Sequence, residues 1–258
     1  MRIVIKIGTS TLAHHTGRLN IRRAEEIVKA VADLKNQGNE MVIVSSGAIG
    51  MGAGKLGLTS KPTDMPTKQA AAAVGQCELM YTYDRLFAEY SHTVAQILLS
   101  ANDIKHEESY GNFRNTMFRL LEMGALPIIN ENDTVATQEI NSIGDNDTLS
   151  AIVAAGIDAD LLVLLSDIDG LYTADPHSNP DAKLISEVPE LTDEIYALAG
   201  GKGSEFGTGG MITKLNAAKI CLYAGCDIVI MNGQRPLELY DLIEGKPIGT
   251  RFIAGERK

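Results

Sequence analysis

Six short apolar runs recur along the chain: Ile3–Ile7, Met41–Val44, Thr93–Leu99, Ala125–Ile129, Leu161–Leu165 and Asp227–Met231. No other feature limits the fold as strongly. Several of the runs are almost continuously apolar and rich in Ile and Val. A strand with one wet face alternates polar and apolar residues. A strand without that alternation is covered on both faces, as in a parallel sheet between helical layers. Between the runs the period changes. Ile21, Ala24, Ile27, Val28, Val31 and Leu34 fall at helical spacing, and Gly38 stops that segment. Residues 66–90, 110–123, 146–156 and 210–224 also read as helices. This alternation predicts an α/β fold, a three-layer α/β/α sandwich around a mostly parallel central sheet. Residues 167–209 break the rhythm. Asp175-Pro176, Asn179-Pro180 and Val188-Pro189 punctuate them, so hairpins and loops outside the main sheet are expected there. No Pro-rich or Gly/Ser-rich linker and no internal repeat divides the 258 residues, so one domain over 1–258 is expected.

Composition removes several function classes. A formal charge of −10 argues against a nucleic-acid partner, though not against anionic substrates, which need only local positive charge. The three cysteines, Cys77, Cys221 and Cys226, are odd in number and form no CxxC pair, which fits a reducing compartment. The first ten residues lack the apolar stretch of a signal peptide, and no apolar run reaches the ~18 residues of a membrane span. A cytoplasmic protein with no membrane partner is expected. The adjacent His14 and His15 read as a polar loop rather than a metal site.

Four segments carry polar or glycine residues that a plain scaffold does not need, and three directly follow a strand run. Lys6 interrupts the first apolar strand within KIGTS, residues 6–10. A lysine there either snorkels from an edge strand or is aimed at an anion, since a buried ammonium is costly without one. Gly8 lets backbone N–H groups approach that anion. SSGAIGMG, residues 45–52, offers small residues for close backbone approach. Gly52, Gly54 and Gly57 form a formal G-x-G-x-x-G, but seven residues separate Val44 from Gly52. A dinucleotide fingerprint begins immediately after its strand, so this match reads as chance. Asn130, Asn132, Asp133, Asp145, Asn146 and Asp147 crowd two turns after strand 125–129. One of them could cap the following helix; six such groups suit an ammonium, hydroxyls or a metal. Finally, GTGGMITK at 207–214 ends GGKGSEFGTGG, with six glycines in eleven residues, and leads into a helix. Such a terminus binds phosphate through free N–H groups and the helix dipole, unless it is simply a mobile loop with a surface Lys214.

Two lysines, two glycine-rich turns and an Asp/Asn cluster fit phosphoryl transfer, which needs positioning and charge neutralisation more than covalent help. A carboxylate acceptor with a pKa of about 4.3 is ionised at neutral pH and needs no general base. No convincing catalytic His or Ser–His pair is present, which agrees with such an acceptor.

In combination, KIGTS at 6–10, VSSGAIGMG at 44–52, NENDTVA at 130–136, GDNDTLSA at 144–151, SDIDGLYTADP at 166–176 and GTGGMITK at 207–214 are highly specific. On these motifs the chain resembles the glutamate 5-kinases of the amino acid kinase family, essentially from residue 2 to residue 253. The resemblance implies an ATP-dependent kinase acting on glutamate, at the first step towards proline. It implies catalytic roles for Lys6 and Lys214 at the transferring phosphate, with Asp147 holding both. Glutamate would meet Ser46, Gly47, Asp133 and Asn146, with Asp145 close by. ATP would meet Lys6, Gly8, Ser166, Asp167 and the stretch Thr208, Gly209, Gly210, Met211, Ile212, Thr213 and Lys214. Residues up to about 150 would form the amino acid lobe, and about 151–258 the ATP lobe. Mg2+ would be held mainly by ATP phosphates, with no protein metal ligand. Proline as feedback inhibitor, a homodimer or homotetramer, and hand-off to a glutamyl phosphate reductase are further implications. Ser166 stands where many members have Thr, and the hydroxyl is kept. The C-terminal PUA domain that many members carry is expected to be absent, since GTRF is followed only by a few residues to Lys258. The rival readings are a related kinase for N-acetylglutamate or aspartate, and a non-catalytic nucleotide or amino acid sensor. The Asp133/Asp145/Asn146 cluster suits a free α-ammonium, which an acetylated substrate lacks.

Overall fold

The computed structural model describes residues 1–14, 16, 18–60, 62–135, 145–176, 178–199 and 210–255. The strands are β1 (Arg2–Ile7), β2 (Glu40–Ser45), β3 (Val94–Leu99), β4 (Leu126–Glu131), β5 (Leu161–Ser166), β6 (Glu187–Val188), β7 (Asp227–Asn232) and β8 (Thr250–Phe252). The helices are α1 (Thr9–Leu12), α2 (Ile21–Asn36), α3 (Ala48–Lys55), α4 (Met65–Ala88), α5 (Ala101–Lys105), α6 (Glu107–Glu122), α7 (Asn146–Gly156), α8 (Asp193–Leu198), α9 (Met211–Tyr223) and α10 (Glu238–Ile243). Among the described residues the strands form one sheet in the order β3-β4-β2-β1-β5-β7-β8-β6. Its neighbours run parallel except β7 and β8, which are antiparallel. Each of the six apolar runs is a strand of this sheet.

The two faces of β1 follow from its alternation. Ile3, Ile5 and Ile7 belong to the apolar layer under α2, α4 and α10. Val4 belongs to the opposite layer, with residues of α6, α7 and α9. Because side chains alternate along a strand, Lys6 falls on the second face, in register with Val44 of β2 and Leu164 of β5. The helices thus form layers on both faces, which gives the three-layer sandwich.

Two readings of the sequence need correction. Residues 167–209 do contain a hairpin-like bridge, Tyr172 to Leu184, but they also send β6 into the main sheet, where it pairs with β8. They further hold α8, capped by the Thr192 hydroxyl on the Ile195 N–H. A two-residue strand followed by Pro189 has no periodicity to read. The glycine-rich stretch after β2, read as a turn, is largely helical. It becomes α3, whose Gly50, Gly52 and Gly54 are poor helix formers. Packing explains why it is helical. A Cβ on Gly52 would lie 1.8 Å from the Ala71 carbonyl oxygen, and one on Gly75 would lie 1.7 Å from the Ala48 carbonyl oxygen. The α3 and α4 backbones touch at two glycines, an approach no side chain allows. Of the three glycines of the G-x-G-x-x-G match, Gly52 is the one that this contact requires.

Among the described residues no helix is long and apolar enough to cross a membrane. The cysteines are unpaired, with Cys77 exposed and Cys221 and Cys226 buried.

Candidate active site

The strand order reverses direction at β1: β2, β4 and β3 lie to one side and β5 and β7 to the other. Crevices at the carboxyl ends of strands around such a point hold ligands in open α/β sheets. A cleft of about 1260 Å³ opens there. The Ser46 N–H donates to the Ile7 carbonyl at 3.0 Å, which ties the ends of β1 and β2 together beneath it.

Asp147 is the hub of the floor. It lies in the first turn of α7 and is 1% exposed. The Lys6 Nζ sits 2.7 Å from Oδ1, and the Lys214 Nζ sits 3.0 Å from Oδ2. The Thr213 hydroxyl lies 3.1 Å from Oδ2 and 2.8 Å from the Gly210 carbonyl, so its single proton has two acceptors in reach. Burial pushes the Asp147 carboxyl up, but the charges of Lys6 and then Lys214 outweigh it and hold the pKa below the ordinary range. Two ammonium groups on one carboxylate leave one positive charge in excess. Both lysines line the cleft with side chains only 12% and 5% exposed, so an anion is the natural complement. Gly8 is buried beside them. Its backbone is extended, which any residue adopts, but a Cβ would stand 3.5 Å from the Lys6 ammonium. The missing side chain leaves that ammonium open.

A chain of amides and hydroxyls adjoins this hub. Asn146 Nδ2 donates to the Ser46 hydroxyl at 2.6 Å and lies 3.1 Å from both the Ser45 carbonyl and Asn130 Oδ1. Gly47 holds φ +106°, a left-handed conformation that favours glycine, at the start of α3. Asp133 lines the cleft nearby; burial, then the charge of Glu131, pushes its carboxyl up to about 6. Asp145 lines the cleft too, but its carboxylate is already engaged as the α7 cap, accepting from the Thr148 N–H at 2.8 Å.

Ser166 and Asp167 meet at the β5 end, the hydroxyl donating to Asp167 Oδ1 at 3.1 Å, and both line the cleft. So do Gly210 and Met211, where α9 begins without a side-chain cap. Ile212 is 39% exposed and is not a lining residue. Thr208 and Gly209 lie outside the described residues. Among the described residues no group of three or more His, Cys, Asp or Glu could hold a metal ion. The reading of the sequence did not find Gln76, Ser45 and Tyr83. Gln76 bonds Asn130, and the Tyr83 phenol lies 2.9 Å from the Ser45 hydroxyl. Gln76 and Tyr83 lie seven residues apart on α4 among several other polar residues, so neither carried a distinct signal.

Comparison with known proteins agrees with this geometry. The sequence model of the amino acid kinase family matches residues 1–232. A glutamate 5-kinase of Clostridium perfringens is 51% identical over 256 residues, covering 98% of this chain and 95% of that protein. One of Listeria monocytogenes serovar 1/2a is 50% identical over 256 residues, covering 98% and 93%. One of Caldanaerobacter subterraneus is 50% identical over 253 residues, covering 98% of this chain and 68% of that protein. Among solved structures, the UMP kinase of Bacillus anthracis has a TM-score of 0.67 at 17% identity, covering 98% of this chain and 95% of that one. An isopentenyl phosphate kinase has a TM-score of 0.69 at 16% identity, covering 98% and 100%. At such identities the two structures speak for the fold alone. With a family model spanning most of its length and relatives at half identity, this chain belongs to the amino acid kinase family.

Proposed function

We propose that this chain transfers the γ-phosphoryl group of ATP to the side-chain carboxylate of L-glutamate, giving L-glutamyl 5-phosphate, the first step of proline biosynthesis. The observation that carries the reading is the pair of lysines sharing Asp147 in one cleft that Asn146, Ser46 and Asp133 also line. The half-identical relatives named glutamate 5-kinase support glutamate as the acceptor.

The reaction brings an ionised carboxylate up to an anionic phosphate. The excess positive charge of the Lys6–Asp147–Lys214 group offsets that repulsion and stabilises charge on the transferring group. Asp147 positions both ammonium groups. No base is required, since the acceptor is ionised at neutral pH. Asn146, Ser46, Gly47 and Asp133 hold the amino acid, and Asp145 fixes the start of α7. Gly8, Ser166, Asp167 and the residues leading into α9 hold ATP. Mg2+, held mainly through the ATP phosphates, would supply charge neutralisation at the transferring group. The proposal places the amino acid in residues up to about 150 and the nucleotide in about 151–258. It extends to a cytoplasmic homodimer or homotetramer, to proline inhibition and to hand-off to glutamyl phosphate reductase.

The test is incubation with Mg-ATP, an acid and hydroxylamine, which traps an acyl phosphate as its hydroxamate. Hydroxamate with glutamate, and little with N-acetylglutamate or aspartate, is expected. Product only with another acid overturns the substrate, and no product with any acid overturns the activity.

A further inference from the structure

Gln76 and Tyr83 are among the buried polar side chains of α4, and neither lines the cleft. Tyr83 is fully buried, and burial pushes its phenol far above the ordinary range. Gln76 is 9% exposed; its Oε1 accepts from Asn130 Nδ2 at 3.0 Å, while its own Nε2 is buried without a partner among the described residues. A buried donor left unmade costs stability. Stability therefore does not account for glutamine at this position, and its acceptor oxygen does.

We propose that Gln76 is a positioning residue that anchors the Asn130 side chain, and through it holds the Asn146 amide in place for the α-ammonium group of the substrate. This rests on the proposed function above. Side-chain amides can turn over, so their direction must be fixed by groups that cannot. Two backbone groups do so here. The Glu131 N–H donates to Asn130 Oδ1 at 2.9 Å, which makes that atom an oxygen. The Ser45 carbonyl accepts from Asn146 at 3.1 Å, which makes that atom a nitrogen. Asn130 Oδ1 accepts from the same Asn146 nitrogen, so Asn130 turns its own NH2 towards α4. There it needs an acceptor, and Gln76 Oε1 is the one it has. The relay runs one way, from Asn146 through Asn130 to Gln76, and leaves Asn146 Oδ1 as the acceptor at its head. An ammonium group requires an acceptor.

The glycine contact explains how a helix on the far side of α3 reaches this relay. Gly75 rests directly on the α3 backbone, and Gln76 is the next residue. Without the Gln76 acceptor, the Asn130 NH2 is left unpaired, and Asn130 is held less firmly against the Asn146 amide.

The experiment is steady-state kinetics and thermal denaturation of Gln76→Met, which keeps length and volume but removes the acceptor. The expected result is a KM for glutamate raised about tenfold, the worth of one lost hydrogen bond, with kcat and KM for ATP within about twofold. In an Asn146→Ala background the same change is expected to add less than about twofold, because the two residues act as one unit. If Gln76→Met shows no cooperative thermal transition, Gln76→Leu is measured in its place. An unchanged KM for glutamate, or an equal rise in both backgrounds, overturns the relay while leaving the kinase reading intact. A wild type inactive with glutamate overturns both.

Discussion

Replacing Asp147 by Asn keeps the shape of the hub and removes its charge. Two ammonium groups now 2.7 and 3.0 Å from a carboxylate would share a neutral amide in a site that is 1% exposed. Breaking a buried pair by removing one partner costs about 3–5 kcal/mol, because the surviving charge is uncompensated. Both lysines reach the cleft, so water recovers part of this and the lower end, about 3 kcal/mol, is the expected loss. At about 2–4 °C per kcal/mol for a domain of this size, the melting temperature should fall by about 6–12 °C. ATP phosphates should restore part of that loss, so nucleotide should raise the midpoint of Asp147→Asn more than that of the wild type. Turnover should fall by about 10²-fold, since neither ammonium is then held at the transferring group. The folded pKa of Asp147 lies below its unfolded value of about 3.9. Its contribution is therefore complete above that pH and is lost as pH falls through the folded value. The Asn variant should lack this part of the acid-unfolding limb. Calorimetric scans with and without ATP, an acid titration and the hydroxamate assay read all four quantities. A midpoint within about 1 °C of wild type together with turnover within about threefold would refute the reasoning.

Lys6→Ala and Lys214→Ala should each lower kcat by about 10²-fold or more with a smaller effect on folding; unchanged turnover in both, measured by hydroxamate formation, removes them from the mechanism. Asp133, with its carboxyl at about 6, should bind an ammonium only when ionised, so KM for glutamate should fall as pH rises from 5 to 7. Asp133→Asn should lose that dependence, and a pH profile identical to wild type would count against the role. Gly75→Ala should cost about 3 kcal/mol or more, because its Cβ would meet the Ala48 carbonyl at 1.7 Å, and a denaturant midpoint equal to wild type would contradict the packing argument.

The sheet was legible because its strands are covered on both faces, so six of them announce themselves as apolar runs. β6 and β8 were not, since two or three residues carry no period. An anionic partner for Lys6 could be anticipated, because a lysine inside an apolar strand demands one. That Lys6 and Lys214 share Asp147 was implied by the family resemblance alone, since it depends on the crossing of α7 and α9, which local patterns do not encode. Gln76 was hidden for another reason. One glutamine in an Ala-rich helix has the composition of a surface position, and only the α3–α4 glycine contact turns it inward. That same contact lets α3 keep three glycines within a helix where composition suggested a turn.

The placement of Lys6 also bears on how the chain finds its fold. β1 lies mid-sheet, with Ile3, Ile5 and Ile7 towards one layer and Lys6 towards the other. Sliding β1 by a single residue would drive a lone ammonium into the hydrocarbon beneath α2 and α4, far from any carboxylate. The lysine therefore penalises misthreaded intermediates. Exchanging it for Leu should yield a protein that still collapses yet tolerates wrong pairings, visible as heterogeneous refolding.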